Sequence, residues 1–278
     1  MKRHLWVFLA ALSGCSSIEH TLIAPEVEGP AMAGDRAVDL IVRTAPGREV
    51  TLFSDASKRP PTFSRDFTAG ESRGGALLGG LGYTFKGIAF NGGLLGANSL
   101  FEGIWLGGKL QLIGRQALLL NSPLYLSAYG RVGSQSGTKD GEKNGEFGPG
   151  GFPWEVERSG SFINVGTSVG YAITPGMVPF LGYAKGEASG RATLDQKLSG
   201  DGSSPAASYS NAFDATFATW GGGIQFVGQT TRFTVSMQNT QTEVANERRV
   251  GRTLGLALEI KVGGPPVSAV SSEKETGR

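Results

Sequence analysis

The sequence predicts an all-β protein, an antiparallel up-and-down transmembrane β-barrel of about eight to ten strands. Three observations predict it. Apolar residues alternate with small or polar ones at a period of two, segment after segment. The segments reach the 9–11 residues with which a tilted strand crosses a bilayer. Short connections alternate with long polar ones, the asymmetry of membrane barrels. Glycine makes up 44 of 278 residues, roughly twice its usual share of about 7%. It lies inside the alternating segments, as expected of closely packed strands.

The chain opens with "MKR", then the apolar run "LWVFLAAL", too short for a transmembrane helix, then "LSGC". Charge, apolar core and the Leu12-Ser13-Gly14-Cys15 box together resemble the signal and lipobox of bacterial lipoproteins. That resemblance implies removal of residues 1–14 and acylation of Cys15, the only cysteine in the chain. Two or more acyl chains give a stable anchor, at about 0.8 kcal/mol per buried CH₂. Ser16 and Ser17 follow, a non-acidic pair that resembles the default outer-membrane signal of enteric-type lipoproteins. One cysteine excludes an internal disulfide, and two histidines leave too few ligands for a structural zinc site.

Residues 15–34 read as the lipidated N-terminus and a tether with little regular structure. Residues 35–262 form the β-domain, and 263–278 a polar tail. "AVDLIVR" or "EVTLF" supplies the first strand. "GGALLGGLGYTF" (74–85) turns at Lys86–Gly87 into "IAFNGGLLG" (88–96). "GIWLGGKLQLIG" (103–114) leads through Asn121–Pro123 to "LYLSAYGRVG" (124–133). "SFINVGTSVGYAI" (161–173) turns at Pro175–Gly176 into 178–194. Residues 213–227 turn at Gln229–Thr230 into 232–244, and "RTLGLALEIKV" (252–262) closes the series. The connections at 134–157 and 195–212 are long and polar.

Val165, Val169 and Ile173 share one strand face, and Asn164 and Ser168 the other. The polar faces carry mainly Gly, Ser, Thr and Asn, which suit a narrow lumen better than a solvated sheet. On this pattern, residues 35–262 resemble a bacterial outer-membrane β-barrel. Ten strands fit best: an N-terminus anchored on the periplasmic side and an even count return the tail to that side.

Six charges fall within strands. Lys109, Arg131, Lys185, Glu187, Glu259 and Lys261 are the candidate lumen-lining charges, either setting pore selectivity or pairing to fill a small barrel. The second role suits so few strands better. Trp105 and Trp220 suit either an interface belt or core packing.

Other motifs carry no chemistry. "GTSVG" (166–170) matches a nucleophile elbow in letters, but Ser168 lies mid-strand and no histidine follows it. "DGEKNG" (140–145) resembles the start of a calcium loop, yet its twelfth position is Gly151. The sequence therefore predicts no enzyme, no cofactor and no metal. Without residues 1–14 the chain has 24 basic and 24 acidic side chains, a balance that implies no polyanionic partner such as nucleic acid.

The leading expectation is an outer-membrane β-barrel anchored through Cys15, with outer-membrane lipid as its partner. Its role is structural, a small pore, or part of an envelope machine with other envelope proteins. The alternative is a surface or periplasmic lipoprotein whose soluble β-sandwich or barrel binds a ligand or protein.

Overall fold

The structure is a computed structural model; it describes residues 17–32, 34–65, 67, 75–96, 102–115, 117–141, 152–197 and 207–263. Cys15 and most of the calcium-loop-like segment, 142–151, lie outside the described residues. The described residues are all-β. The strands are β1 (Ile18–Ile23), β2 (Ala37–Ser54), β3 (Thr62–Phe63), β4 (Gly75–Phe85), β5 (Ile88–Gly96) and β6 (Gly103–Ile113). They continue with β7 (Leu124–Asp140), β8 (Trp154–Tyr171), β9 (Met177–Gln196), β10 (Ala207–Val227), β11 (Thr231–Val244) and β12 (Glu247–Gly263).

These strands form a single antiparallel sheet of 12 strands that closes into a ring. From β4 to β12 each strand pairs with the next in sequence, and β2 closes the circuit by pairing with both β12 and β4. The closed circuit thus runs through ten strands, with β1 and β3 attached to β2. Lys86 and Gly87, with φ of 47° and 76°, make the left-handed pair that a two-residue hairpin needs. Ala245 and Asn246, at 48° and 71°, do the same between β11 and β12.

The turns at 86–87, 172–176 and 228–230 share one end of the ring, here the turn rim. The connections after β2, β5, β7, β9 and β11 share the other, the loop rim. β7, β8, β9 and β10 run further toward the loop rim than their apolar alternation predicts. "AVDLIVR" and "EVTLF" belong to one continuous strand, β2.

The interior and exterior exchange polarity along the ring axis. Near the turn rim the outer face is apolar: Tyr171, Val169, Val165 and Ile163 on β8, Leu181 and Tyr183 on β9, and Phe226, Ile224 and Trp220 on β10 are all exposed. The inward neighbours there are polar and buried, including Asn164 and Ser168 on β8 and Gln225 and Thr219 on β10. Toward the loop rim the order reverses. Outward positions become Ser161, Ser159 and Glu157 on β8 and Asp214 on β10. Inward positions become Phe162 and Val156, and Phe217 and Phe213.

The inner and outer residues therefore fall where the alternation puts them on β8. Trp105 and Trp220 part company: Trp105 is buried under the wall, and Trp220 is exposed on the outer face.

The N-terminal region is the largest departure from expectation. Residues 18–32 are not a loose tether. β1 pairs with the far half of β2, Ile18 against Phe53 and Ile23 against Gly47. Past Pro46, β2 leaves the wall, and Val50, Leu52 and Phe53 are fully buried with Ile18, Leu22 and Ile23. These residues form the loop-side core with Trp105, Val156, Phe162, Leu194 and Phe213. Each buried aliphatic side chain contributes about 2 kcal/mol, so this end is held as a soluble protein core is held.

The wall itself is tight. A Cβ on Gly93 would meet the carbonyl of Gly79, and one on Gly80 that of Gly92. Only glycine permits that approach between β4 and β5, which accounts for part of the glycine excess.

Candidate functional site

The candidate site is the interior at the level of the apolar outer belt. Residues 24–32 cross it as an extended segment without a neighbouring strand, so their backbone must find other partners. Three glutamines on the wall supply them. The Val27 N–H donates to Gln238 Oε1 at 2.9 Å, the Ala31 N–H to Gln225 Oε1 at 2.8 Å, and the Met32 N–H to Gln111 Oε1 at 2.9 Å. Gln225 Nε2 donates back to the Ala31 carbonyl at 3.1 Å. Tyr129 accepts from the Glu28 N–H and donates to the Glu26 carbonyl, at 3.2 and 3.1 Å. Lys109 Nζ donates to the Gly29 carbonyl.

The segment also brings two carboxylates into the centre. Glu26 lies 3.0 Å from Arg43 and 2.8 Å from Arg131, and Glu28 lies 2.8 and 2.7 Å from the same two guanidiniums. Arg43 continues to Glu259 at 2.9 Å, Glu259 to Arg232 at 2.6 Å, and Arg232 to Asp39 at 3.1 Å. Arg131 also lies over the Trp105 ring, 5.1 Å from its centroid. Four acids thus face four cations, Arg43, Lys109, Arg131 and Arg232. Burying such charges is tolerable because the three arginines are ion-paired with the acids and Lys109 is hydrogen-bonded to the Gly29 and Ala31 carbonyls.

Of the six sequence candidates, Lys109, Arg131 and Glu259 join this network. Lys261 faces Asp39 across the β12–β2 pairing, on the same inward row as Glu259. Lys185 and Glu187 do not line the interior. They are exposed on the outer face of β9, because Ala184, Gly186 and Ala188 take the inward row. The sequence reading missed Glu26, Glu28, Asp39, Arg43 and Arg232. The available signal was a pair of acids two residues apart inside the otherwise apolar "LIAPEVEGPAMA".

Little open space remains. Cavities of about 20 Å³ flank the segment on two sides, each room for about one water. Ser168, the serine of the elbow-like motif, is buried and shares a hydrogen bond of 2.9 Å with Ser127. Among the described residues no group of three His, Cys, Asp or Glu side chains is placed to hold a metal. The arrangement is suited to gripping a peptide segment.

Above the network, the His20 ring is buried among Phe213, Gly160, Gln135 and Arg158. Burial, and then the nearby Arg158 charge, push its pKa from 6.5 down to about 4. A depressed pKa means that folding binds the neutral ring. The stabilisation is complete above pH 6.5 and is lost as pH falls toward 4. The loss amounts to about 3 kcal/mol at 1.36 kcal/mol per unit. The thermal unfolding midpoint of the wild type should fall more steeply over this window than that of His20→Gln; parallel curves would remove His20 as the cause.

Comparison with protein-family models and with curated proteins returns no match for this chain.

Proposed function

We propose that this chain is a lipid-anchored transmembrane β-barrel of ten strands in the bacterial outer membrane, kept shut by its own N-terminal segment. Its role is structural: it holds the β7–β10 extensions and their loops at the membrane surface, alone or as a component of an envelope machine. The observation that carries this reading is the exchange of polarity along the ring axis. A protein surrounded by water gains nothing from placing Arg43, Arg131 and Glu28 inside and Leu181, Val165 and Phe90 outside.

The dimensions agree. From Ile163 to Tyr171 the outward row of β8 spans eight residue steps, about 26 Å along the strand at roughly 3.3 Å each. At a tilt of about 40° that is about 20 Å along the axis, near the roughly 25 Å apolar band of known membrane barrels. Glu187 is then paired with Ile163 at the edge of the belt and Lys185 with Val165 one outward step inside it, from where a lysine's long stem reaches the interface. The paired interior favours an occluded barrel over an open pore, because the segment and its ion pairs occupy the cross-section.

Two measurements test the membrane reading. The detergent-extracted protein should migrate differently in gels before and after boiling. A cysteine replacing Val169, in a chain whose Cys15 is acylated, should react with a lipid-soluble maleimide and not with a charged one. Ready labelling by the charged reagent in intact outer membrane would reverse the inside–outside assignment. Absence of both labelling and heat modification would point to the soluble lipoprotein instead.

A further inference from the structure

The path of the N-terminal segment through the ring can be followed residue by residue. Ile18 stands beside Phe53 at the loop rim. Ala24 donates its N–H to the Pro46 carbonyl at 2.9 Å, where β2 rejoins the wall. Glu26 and Glu28 lie at the level of Arg43. Ala31 reaches Gln225, two residues before the end of β10 at the turn rim. Asp35 Oδ1 accepts from the Lys86 N–H at 2.8 Å, on the turn between β4 and β5. The contacts come from β2, β6, β7, β10 and β11, so the segment is enclosed rather than laid against one side. At the far end of the chain, β12 finishes at Gly263 beside Val38, at the turn rim.

We propose that the two ends of the mature chain lie on opposite faces of the membrane, and that the acylated end is on the outer face. The proposal rests on the membrane reading above. Long loops mark the external side of a membrane barrel and short turns the periplasmic side. By that asymmetry, Ser17 lies outside and Gly263 inside. Cys15 is two residues from Ser17, a reach of at most about 7 Å. The turn rim is about 33 Å away: Arg158, which donates to the Glu19 carbonyl, stands 13 residues from the turn-rim end of β8, at the β rise per residue and tilt used above. The periplasmic leaflet is therefore out of reach of an acyl group on Cys15 unless residues 24–32 leave the ring, which would strip Arg43 and Arg131 of Glu26 and Glu28. The consequence replaces the expectation from sequence that both ends share the periplasmic side. The chain is a surface-anchored lipoprotein that carries its anchor through its own barrel.

The test uses the full chain in whole cells and a membrane-impermeant maleimide. Four single-cysteine probes are compared: Ser17→Cys, Lys58→Cys on the loop rim, Thr230→Cys on the turn rim, and Ser271→Cys in the tail. Ser17→Cys and Lys58→Cys should react in intact cells, and Thr230→Cys and Ser271→Cys only after the outer membrane is permeabilised. Should Ser17→Cys fold poorly, Ser16→Cys serves in its place. If Lys58 and Thr230 differ as stated but Ser17 behaves as Thr230 does, threading across the membrane is overturned while the barrel stands. If the loop-rim and turn-rim pairs exchange behaviour, the outward placement of the anchor is overturned. If all four react alike, the membrane reading itself fails.

Discussion

A chain carrying Glu26→Gln together with Glu28→Gln should lose its grip on the N-terminal segment and become an anion-selective pore. Glutamine keeps the shape of glutamate and removes only its charge. Arg43 and Arg131, each within 3.0 Å of these carboxylates, would then be short of counter-charge in a closed interior. Breaking one buried pair costs about 3–5 kcal/mol when the partner charge stays behind. The segment is also held by Gln111, Gln225 and Gln238, but neutral hydrogen bonds contribute only about 1 kcal/mol each. The electrostatic loss therefore outweighs these bonds and displaces residues 24–32 from the centre, while β1 stays packed in the loop-side core.

Withdrawal leaves Arg43, Lys109, Arg131 and Arg232 facing Asp39 and Glu259, an interior with excess positive charge. In a planar bilayer the wild type should be silent. The double variant should conduct, with a reversal potential under a salt gradient that favours the anion. Adding Arg43→Met and Arg131→Met removes the excess cations and should restore both silence and thermal stability. A well-folded double variant that stays silent would show that the glutamine ladder alone retains the segment.

The strands were legible in the sequence wherever one face is apolar and the other small. "IAFNGGLLG" matches β5 at both ends, and the Lys86–Gly87 turn falls where Gly87 allows its left-handed backbone. The inward and outward rows of β8 were legible too, because Val165 and Asn164 differ so sharply in character. The loop-side ends of β7, β8 and β10 were not. There the apolar row changes face, so Phe162 and Phe213 break the pattern that Val165 and Phe226 set. The charges of Lys185 and Glu187 suggest a lumen-facing place by type alone, whereas Ala184, Gly186 and Ala188 take the interior.

The interior segment was illegible for a different reason. Its partners are side chains 79 to 211 residues away, and no local period records them. Pro25, Gly29 and Pro30 also suppress any strand signal. What the sequence could not convey is that an irregular segment acquires backbone partners from glutamines on distant strands.

Two arginine substitutions on one face of β8 separate the membrane reading from a water-soluble one. Val169 is 44% exposed on the outer face, within the apolar belt. Glu157 is exposed on the same face, three residues from the strand's loop-side end. In water both positions would accept arginine at a cost within about 0.5 kcal/mol. In a bilayer they differ. Arginine near the midplane costs about 2–4 kcal/mol, falling toward zero at the interface. Val169→Arg should therefore reduce the fraction of chain assembled in the outer membrane and lower folding stability into vesicles, while Glu157→Arg should match wild type.

The neighbour Ser168 cannot serve as the control, because its hydroxyl is buried against Ser127 and any large side chain there would clash. Val169→Thr, nearly equal in volume, isolates charge from size and should assemble normally. If Val169→Arg assembles as well as Glu157→Arg, then the outer face near Val169 meets water. The ionic interior would then belong to a soluble ring whose apolar exterior must be covered by protein instead of lipid.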